Sequence, residues 1–262
     1  SVQVPAVAQS RKPGQFVVVR AGERSERIPL TIVDADKEAG TIDLIIQDAG
    51  YSTRQLCEME PGDTLQDVLG PLGKPTDIDH YGTVACVGGG VGTAVLYPIV
   101  EGLQGAGNEV VTLMGARAKE LIILEEELKQ ISDELIVTTD DGSYGIEGFG
   151  STVLKNMLDE GRSFDFVVAI GPTPMMKAVA DVTRPYNIKT IASLNSIMID
   201  GTGMCGGCRV TVGDETKFAC VDGPEFDAHL VDFEEQMARH RYYRDEECKL
   251  LEQADELEQE KA

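Results

Sequence analysis

The strongest constraint on the fold of this chain is a regular alternation of apolar runs and helical patterns between residues 81 and 195. Five short apolar runs, each followed by turn residues, are separated by segments of roughly 10 to 15 residues in which apolar side chains recur at helical spacing. Strands that alternate with helices in this way form βαβ units and a parallel sheet. The sequence therefore predicts an α/β domain with a five-stranded parallel sheet over residues 81–195.

The preceding residues, 1–80, contain short β-rich runs separated by turn residues instead. The runs read GQFVVVR, RIPLTIVDAD and GTIDLIIQDAG, and a stretch rich in Pro and Gly, MEPGDTLQDVLGPLGKP, follows them. Short β-rich runs that alternate with turn residues in this way favour a small antiparallel β-barrel. The chain begins abruptly in an apolar pattern at Ser1, so we expect a short N-terminal stretch, such as one strand, to be missing before it.

The last part of the chain divides into a glycine-rich segment with three cysteines, 196–230, and a polar tail, 231–262. The tail has helical spacing and an excess of acidic residues, and one of its faces carries Tyr243, Leu250, Ala254 and Leu257. We expect an acidic helical tail that docks on its own domain, with a contact to a partner protein as the alternative.

Charge and hydropathy exclude several kinds of partner. The formal net charge of −22 repels nucleic acid and anionic membranes. No run of about 18 apolar residues could span a bilayer, and the N-terminus lacks the basic and apolar regions of a signal peptide. The sequence therefore predicts a cytoplasmic protein that binds neither nucleic acid nor membrane.

The motif GGGVGT, residues 88–93, follows an apolar strand and precedes a helix. Glycine lets the backbone approach a phosphate closely, and the N-terminus of the following helix presents free N–H groups to the anion. The order of strand, glycine turn and helix makes a nucleotide site the favoured interpretation. The alternative is that these glycines only pack the helix against the strand. The candidate residues are Gly88, Gly89, Gly90, Gly92 and Thr93.

Three further loops follow later strands of the predicted sheet, and they begin at Gly115, Asp140 and Gly171. Ligands of open parallel sheets bind outside the carboxyl ends of the strands, so these loops are expected to line the same crevice as the glycine motif. Together they predict a nucleotide site. The additional candidates are Gly115, Arg117, Asp140, Gly171, Pro172 and Met175.

In the predicted barrel, Arg27 lies at a strand and the stretch GYST, residues 50–53, follows about twenty residues later. A fixed guanidinium and a loop of glycine and small hydroxyl residues are suitable donors for a pyrophosphate. The alternative is that they are ordinary strand and turn residues.

Cys205, Cys208 and Cys220 have the spacing C-x2-C-x11-C, which is one ligand short of the four that a tetrahedral metal or iron-sulfur site requires. A structural zinc site usually has two CxxC pairs, and a redox CxxC usually begins a helix, so an iron-sulfur cluster is favoured over both. Neighbouring glycines would let backbone N–H groups point at the sulfides of a cluster. Candidates for the fourth ligand are Asp200, Asp222, His229, His240 and Cys248.

Spacing distinguishes among these candidates. The pattern C-x4-C-x2-C with a more distant cysteine is known for 2Fe-2S sites, and counting back from Cys205 puts Asp200 at the first position. Cys248 lies 28 residues beyond Cys220 in a charged helical pattern, which makes it a poor fit.

The order RIPLT, GYST, GGGVGT and GPTPMM resembles the ferredoxin-NADP reductase superfamily, whose barrel binds FAD and whose α/β domain binds a nicotinamide nucleotide. The C-terminal stretch DGTGMCGGCRVTVGDETKFACVDGPEFDAHLVDF is similar to the small subunits of electron-bifurcating NADH-dependent reduced ferredoxin:NADP oxidoreductases. It is more distantly similar to the electron-transfer subunits of dihydroorotate dehydrogenase. The resemblance covers about residues 12 to 240.

The resemblance implies an FAD site in the barrel. It implies that Thr31 lies near the isoalloxazine and that Arg27 lies near the phosphates. The superfamily usually has an aromatic residue after the arginine to stack on the flavin, whereas Pro29 and Leu30 stand here. The other residues that it implies as flavin contacts are Ile45, Ile46 and Gln47 on a strand, and Gly50, Ser52 and Thr53 in a pyrophosphate loop.

For the cluster, the resemblance implies a 2Fe-2S centre held by Asp200, Cys205, Cys208 and Cys220. The dihydroorotate dehydrogenase relatives have cysteine at the first position and the bifurcating small subunits have aspartate. For the nucleotide, a 2′-phosphate would require several Arg or Lys residues, whereas the loops offer Asp140, Asp141 and only Arg117, so NAD is favoured over NADP. The resemblance implies the same choice.

The function expected from these features is a flavin and iron-sulfur oxidoreductase subunit that transfers electrons between a partner flavoprotein and NAD(H). By resemblance the partner is a larger subunit with a bifurcating FAD and 4Fe-4S clusters, in a hetero-oligomer that acts on NADPH and ferredoxin. No catalytic side chain is assigned, because hydride transfer needs no acid or base. One alternative is the electron-transfer subunit of a dihydroorotate or sulfide dehydrogenase, and another is a nucleotide-binding regulatory module with a structural zinc.

Overall fold

The computed structural model describes residues 1–23 and 25–259, with side chains described as far as residue 251. The helices are α1 (Pro5–Ser10), α2 (Tyr51–Cys57), α3 (Gly92–Gly105), α4 (Glu125–Ile131), α5 (Gly150–Asp159), α6 (Thr173–Thr183), α7 (Phe233–His240) and α8 (Arg244–Gln259). The strands are β1 (Val2–Gln3), β2 (Phe16–Arg20), β3 (Ile28–Thr31), β4 (Asp34–Asp36), β5 (Thr41–Asp43), β6 (Asp67–Leu72), β7 (Thr83–Gly89), β8 (Glu109–Ala116), β9 (Glu134–Thr139), β10 (Ile146–Glu147), β11 (Phe166–Ile170), β12 (Lys189–Ser193), β13 (Arg209–Val212), β14 (Glu215–Phe218) and β15 (Glu225–Asp227).

The largest sheet has the order β10-β9-β8-β7-β11-β12-β15 among the described residues. The five predicted strands, β7, β8, β9, β11 and β12, are parallel neighbours in it. The prediction of a five-stranded parallel sheet is corrected at its two edges. Strand β10 adds a short parallel edge, and β15 returns from the cysteine segment to pair antiparallel with β12.

Both faces of this sheet are covered, which explains why its strands are apolar without alternation. Residues Val84, Ala85, Cys86 and Val87 of β7 are completely buried. One face packs against α3 and α4, and the other against α5 and α6. The carboxyl ends of the strands are therefore left as the accessible edge.

The stretch KELIILEEELKQIS, residues 119–132, reads as one of the helices of the predicted βαβ series, and this prediction is wrong in its first half. A 3-10 turn at Lys119–Leu121 is followed by Leu124 in the left-handed region (φ 59°), and only then does α4 begin. Ile122 and Leu124 both pack against the core of the sheet. Residues two apart point to different faces of a helix, so a continuous helix could not bury both.

The N-terminal region contains two three-stranded antiparallel sheets among the described residues, with the orders β1-β5-β4 and β3-β2-β6. A closed barrel is not confirmed. The strand predicted through Ile45, Ile46 and Gln47 is wrong, because β5 ends at Asp43 and the chain continues as irregular backbone to residue 49. The stretch predicted as a loop at Gly50–Thr53 instead begins α2, where the Thr53 hydroxyl accepts from the N–H groups of Ala49 and Gly50.

The cysteine segment connects the two regions. A Cβ atom on Gly201 would lie 2.6 Å from Leu72 Cδ1 and 3.2 Å from Val18 Cγ2, so the segment packs directly on β2 and β6. The N–H of Lys74 donates to the carbonyl of Gly223 at 2.7 Å. The boundaries at residues 80, 195 and 230 stay predictions, since hydrogen bonds and packing cross them.

The C-terminal helices α7 and α8 occupy the predicted tail. Tyr243 and Leu250 are exposed, and the side chains of Ala254 and Leu257 lie outside the described residues. Helix α8 contacts α2. Among the helices that the structure describes, none has the length and apolar character needed to cross a membrane.

Candidate functional site

A β-hairpin brings two of the three candidate thiols together. Strands β13 and β14 pair so that Arg209 lies opposite Phe218, and the turn between them contains Gly213 with φ 60°. Cys208 immediately precedes β13 and Cys220 follows β14, so the register places them side by side. Their sulfur atoms are 3.2 Å apart, and both side chains are buried.

The third thiol, Cys205, lies on an exposed turn that leads into the hairpin. Gly206 has φ 67°, a conformation that glycine adopts without strain. The N–H of Gly207 then points at the sulfur of Cys205, with an N–Sγ distance of 3.4 Å. The prediction that glycine N–H groups point at the sulfides of a cluster stays a prediction, but here one such N–H points at a candidate ligand.

Asp200 faces the same turn. Its carboxylate accepts from the N–H of Thr202 at 2.9 Å and from the N–H of Cys205 at 2.7 Å. These hydrogen bonds, the one from Thr202 first, lower the pKa of the Asp200 carboxyl. The carboxylate is therefore ionised and lies beside Cys205, as a metal ligand must.

The other four candidates for the fourth ligand are engaged elsewhere or lie on another element. The Asp222 carboxylate accepts from the N–H of Phe218 at 2.8 Å and stabilises the end of the hairpin. His229 contacts Thr183, and His240 contacts Thr173 and Gln236. Cys248 is exposed on α8. Asp200 is the candidate that contacts a cysteine of the turn.

The donor set fits a two-iron cluster better than a single ion. Among the described side chains, in residues 1–23 and 25–251, no group of three or more His, Cys, Asp or Glu residues is arranged to hold one metal ion. The four candidates instead form two adjacent pairs: the Asp200 carboxylate accepts from the backbone N–H of Cys205, and the sulfur atoms of Cys208 and Cys220 contact each other. A 2Fe-2S centre takes two ligands on each of its two irons. Burial and then the hydrogen bond with Cys208 raise the pKa of Cys220 to about 12, so ligation there would release a proton.

The glycine motif at the end of β7 is in close contact with the loop after β11. A Cβ atom on Gly92 would lie 2.6 Å from the carbonyl oxygen of Ile170, and one on Gly89 would lie 2.5 Å from Met175 Sδ. These glycines therefore pack helix against strand, which is the alternative considered for the motif. Gly90 differs, because it has φ 55° and open space where its side chain would be. It is the part of the loop that a ligand can approach.

The other predicted nucleotide residues lie at the same edge of the sheet. Gly90 donates its N–H to the carbonyl of Gly115 at 2.8 Å, and Asp140 donates its N–H to the carbonyl of Ala116 at 3.0 Å. The side chains of Arg117 and Asp140 are exposed there. The structure thus brings the members of the predicted set together at one edge; they are Gly88, Gly89, Gly90, Gly92, Thr93, Gly115, Arg117, Asp140, Gly171, Pro172 and Met175.

Two residues at this edge were not singled out from the sequence. Lys119 places its ammonium 5.0 Å from the centre of the Tyr144 ring, and its N–H donates to Ser143. It adds a second cation near Arg117. Lys119 was not predicted as a site residue because the sequence pattern predicts a helix over residues 119–132, whereas Lys119 lies in a 3-10 turn.

Thr173, the first residue of α6, was also not singled out, and it connects the nucleotide edge to α7. Its hydroxyl lies 3.3 Å from Nδ1 of His240, and His240 Nε2 lies 3.1 Å from the carbonyl oxygen of Asn195. Burial is the main reason that the pKa of His240 is lowered. A neutral ring, which donates at one nitrogen and accepts at the other, suits these contacts.

In the flavin region, β3 pairs antiparallel with β2, so that Thr31 lies opposite Phe16 and Pro29 lies opposite Val18. Arg27 is half exposed and lies 3.8 Å from Asp67, which also pairs with Arg20 at 2.7 Å. The Ser52 hydroxyl donates to Glu26 at 3.2 Å. The structure therefore brings Arg27 and Ser52 to neighbouring segments, whereas Ile45, Ile46 and Gln47 lie on irregular backbone.

The segment that holds the candidate cluster ligands lies next to the strands of the predicted flavin site. Gly201 contacts Val18 of β2, and Val18 is the strand partner of Pro29 on β3. The segment therefore packs on the face of the β3-β2-β6 sheet, against a strand that is the direct neighbour of β3. The predicted cluster and the predicted flavin site are therefore adjacent.

Comparison with known sequences agrees with this geometry. Residues 195–232 match the family described as the iron-sulfur cluster binding domain of dihydroorotate dehydrogenase B. A Thermotoga maritima homologue of the electron transfer subunit of dihydroorotate dehydrogenase B (NAD(+)) is 48% identical over 246 residues, which cover 94% of this chain and 86% of the relative. The electron transfer subunit from Geobacillus thermodenitrificans is 36% identical over 234 residues, covering 86% of this chain and 88% of the relative.

Comparison with solved structures gives a similar result. A structure of an NADH-dependent reduced ferredoxin-NADP oxidoreductase, studied for flavin-based electron bifurcation, matches with a TM-score of 0.90 and 47% identity, and it covers 96% of this chain and 90% of that chain. An Amycolatopsis cytochrome P450 reductase matches with a TM-score of 0.58 and 19% identity, covering 68% and 58% of the two chains, which shows a shared fold.

These findings confirm the resemblance predicted from the sequence. The match to the cluster-binding family falls on the segment that holds Asp200, Cys205, Cys208 and Cys220. The relatives at 36% and 48% identity extend over both the small sheets and the large sheet. The chain therefore belongs to the family of dihydroorotate dehydrogenase B electron-transfer subunits and their homologues, within the ferredoxin-NADP reductase superfamily.

Proposed function

We propose that this chain is the NAD(H)-binding subunit of an electron-bifurcating ferredoxin:NADP oxidoreductase. Its cofactors are FAD, a 2Fe-2S cluster and NAD(H), and it transfers electrons between a larger partner subunit and NAD(H). The observation that carries the proposal is the position of the cluster segment. It packs on β2 next to the flavin strand β3 on one side, and its turn is exposed on the other.

The residues present fit these cofactors. Arg27 and the segment around Ser52 offer donors for the FAD pyrophosphate, and Thr31 on β3 is proposed to lie near the isoalloxazine. Gly90 and the loops after β8, β9 and β11 offer the nucleotide crevice. Asp200, Cys205, Cys208 and Cys220 are proposed as the cluster ligands. When bound, FAD can exchange a hydride with a nicotinamide and single electrons with an iron-sulfur centre, which is the chemistry that such a subunit needs.

The surface around the cluster turn is suited to a partner subunit. Met204 is 89% exposed and lies next to Cys205, while Ile199 is 52% and Val221 is 39% exposed. Large apolar side chains that are exposed together commonly mark a contact with another protein. The partner implied by the relatives is a larger subunit of a hetero-oligomeric oxidoreductase.

The nucleotide preference is tested by the rate of flavin reduction. We expect NADH to reduce the purified chain faster than NADPH in stopped-flow measurements, because Asp140 lies at the nucleotide edge and repels a 2′-phosphate. Arg117 and Lys119 oppose this effect, so the double change Arg117→Gln with Lys119→Gln should increase the preference for NADH. Faster reduction by NADPH in the unmodified chain would contradict the assignment to NAD(H).

The second candidate is the electron-transfer subunit of a dihydroorotate dehydrogenase B. It is favoured by the family match over residues 195–232 and by the relatives described above. Purification of the complex from its native host, with identification of the partner, distinguishes the two candidates. A partner that oxidises dihydroorotate would support the second candidate, and one that couples NADPH oxidation to ferredoxin reduction would support the first.

Two further alternatives from the sequence are tested by the same preparation. A partner that oxidises sulfide would indicate a sulfide dehydrogenase. A colourless chain that contains zinc and no flavin would indicate a regulatory module, whereas FAD and a 2Fe-2S centre give a yellow-brown protein. Iron, zinc and flavin analysis of the purified chain decides between these outcomes.

A further inference from the structure

Two arginines bind consecutive carbonyl groups of the turn between Cys205 and Cys208. Arg209 Nη1 donates to the carbonyl of Gly206 at 3.1 Å, and Arg239 Nη2 donates to the carbonyl of Gly207 at 2.9 Å. Arg209 is local, since it lies three residues after the carbonyl that it binds. Arg239 comes from α7, more than thirty residues away in the chain. Two independent parts of the sequence thus deliver positive charge to the same turn.

Neither guanidinium is neutralised by an ion pair. Throughout the described part of the chain, no carboxylate lies within 4.0 Å of Arg209 or Arg239. This is notable in a chain with 45 acidic and 23 basic residues. The two charges are therefore directed at the turn and not at a neighbouring acid.

Helix α7 holds Arg239 in a fixed position. Asp232 caps the helix, since its carboxylate accepts from the N–H of Glu235 at 2.9 Å. Gln236 is 1% exposed and donates to the hydroxyl of Ser196 at 2.9 Å. The next residue after Arg239, His240, contacts Thr173. The helix is anchored on both sides of Arg239, and these contacts hold the backbone that carries the guanidinium in a fixed position.

The two arginines differ in exposure, and this difference predicts their relative effects. Arg239 is half-buried, whereas Arg209 is exposed. A charge that is shielded from water acts through a lower effective dielectric constant, and it is screened less by salt. Arg239 should therefore act more strongly on a group bound at the turn than Arg209.

We propose that Arg239, with a smaller contribution from Arg209, positions the Gly206–Gly207 turn and raises the reduction potential of the iron-sulfur centre bound there. The inference rests on the proposed function, because it requires the 2Fe-2S centre. Three thiolates and one carboxylate surround that centre, and reduction adds one more negative charge. A nearby positive charge stabilises the reduced form more than the oxidised form. Reduction forms and breaks no bond, so the arginines act only on the potential.

The test uses the full chain with its FAD and compares three variants with one change of charge each. These are Arg239→Gln, Arg209→Gln and, as the matched control, Arg241→Gln. Arg241 caps the C-terminus of α7 and its side chain is exposed. The measured quantity is the midpoint potential of the centre, from a redox titration followed by its electron paramagnetic resonance (EPR) signal.

For Arg239→Gln we expect the ratio of reduced to oxidised centre at a fixed potential to fall about tenfold, which equals 59 mV for one electron. For Arg209→Gln we expect a smaller decrease that diminishes as salt is added. For Arg241→Gln we expect no change beyond the error of the titration. The inference is overturned if Arg239→Gln changes the ratio no more than Arg241→Gln does.

A fourth variant, Arg239→Lys, separates charge from folding. It keeps the positive charge, so the centre should be present in full, with a potential closer to that of the unmodified chain than to that of Arg239→Gln. If Arg239→Gln loses the centre, the test uses the ratio of reduced to oxidised centre in Arg239→Lys at the same fixed potential. A ratio tenfold or more below that of the unmodified chain would overturn the inference, and a smaller decrease would support it. An unmodified chain that shows no 2Fe-2S signal refutes the proposed function itself, so the two failures are distinguishable.

Discussion

The GGGVGT motif and the turn between Cys205 and Cys208 are both rich in glycine, but the glycines are needed for different reasons. In the first, a Cβ atom on Gly92 would meet the backbone of residues 170 and 171 at 2.6 to 2.9 Å. In the second, the atom nearest to a Cβ on Gly206 would be 3.8 Å away, but Gly206 has φ 67°. One motif requires glycine for close packing, and the other requires it for backbone conformation.

The comparison shows why a glycine motif is ambiguous in a sequence. Both patterns predict a ligand site. Yet most glycines of the first motif contribute to the packing of α3 on the sheet, and Gly90 is the one that is left open to a ligand. Substitutions that add one methyl group can separate these roles.

The largest effect is expected for Gly92→Ala. The added methyl group overlaps backbone atoms that cannot move without displacing β11, and overpacking of this kind costs about 2 kcal/mol. For a domain of this size, that lowers the melting temperature by roughly 4 to 8 °C. Thermal unfolding followed by circular dichroism measures the change, and an unchanged melting temperature would contradict the packing role of Gly92.

A smaller effect is expected for Gly206→Ala. There is room for the methyl group, and the cost is the left-handed conformation, which is roughly 1 kcal/mol for alanine. Asparagine tolerates this conformation better, so Gly206→Asn should be the more stable of the two. The same unfolding measurement applies. The comparison fails if Gly206→Ala destabilises the chain more than Gly92→Ala does.

The parallel sheet could be predicted from the sequence because its strands are buried on both faces and its helices follow a clear period. Residues 84–87 and 110–114 are apolar except for Thr112, and each run is followed by glycine. Strand β15 was missed because its three residues, Glu225–Asp227, have no pattern of their own. It is a strand only because it pairs with β12.

The N-terminal region was predicted less well because its short elements depend on tertiary contacts. The apolar run at Leu44, Ile45 and Ile46 reads as a strand, but no strand pairs with it among the residues that the structure describes. Thr53 reads as a loop residue, but its hydroxyl accepts hydrogen bonds at the start of α2. The first conformation follows from the lack of a strand partner among the described residues, and the second follows from a local side-chain hydrogen bond. The apolar pattern of the sequence indicates neither.

The candidate cluster site also contains residues that could be predicted from the sequence and residues that could not. The cysteine spacing and Asp200 could be read directly, because ligands lie on one short segment of the sequence. Arg239 could not, since it reaches the turn from α7, and nothing in its local sequence indicates a contact with Gly207. Local patterns predict local ligands, while the residues that position them come from elsewhere in the fold.

Asp200 is proposed to complete the cluster site, and iron analysis combined with EPR of the reduced chain tests this assignment most directly. Asp200→Ala should lose the 2Fe-2S signal and most of its iron, because it removes the carboxylate that accepts from the N–H of Cys205. Asp200→Cys should keep a centre with four thiolate ligands, and Asp222→Ala, which removes the carboxylate at the end of the hairpin, should keep the original one. An Asp200→Ala variant with the full iron content and an unchanged EPR signal would contradict the assignment.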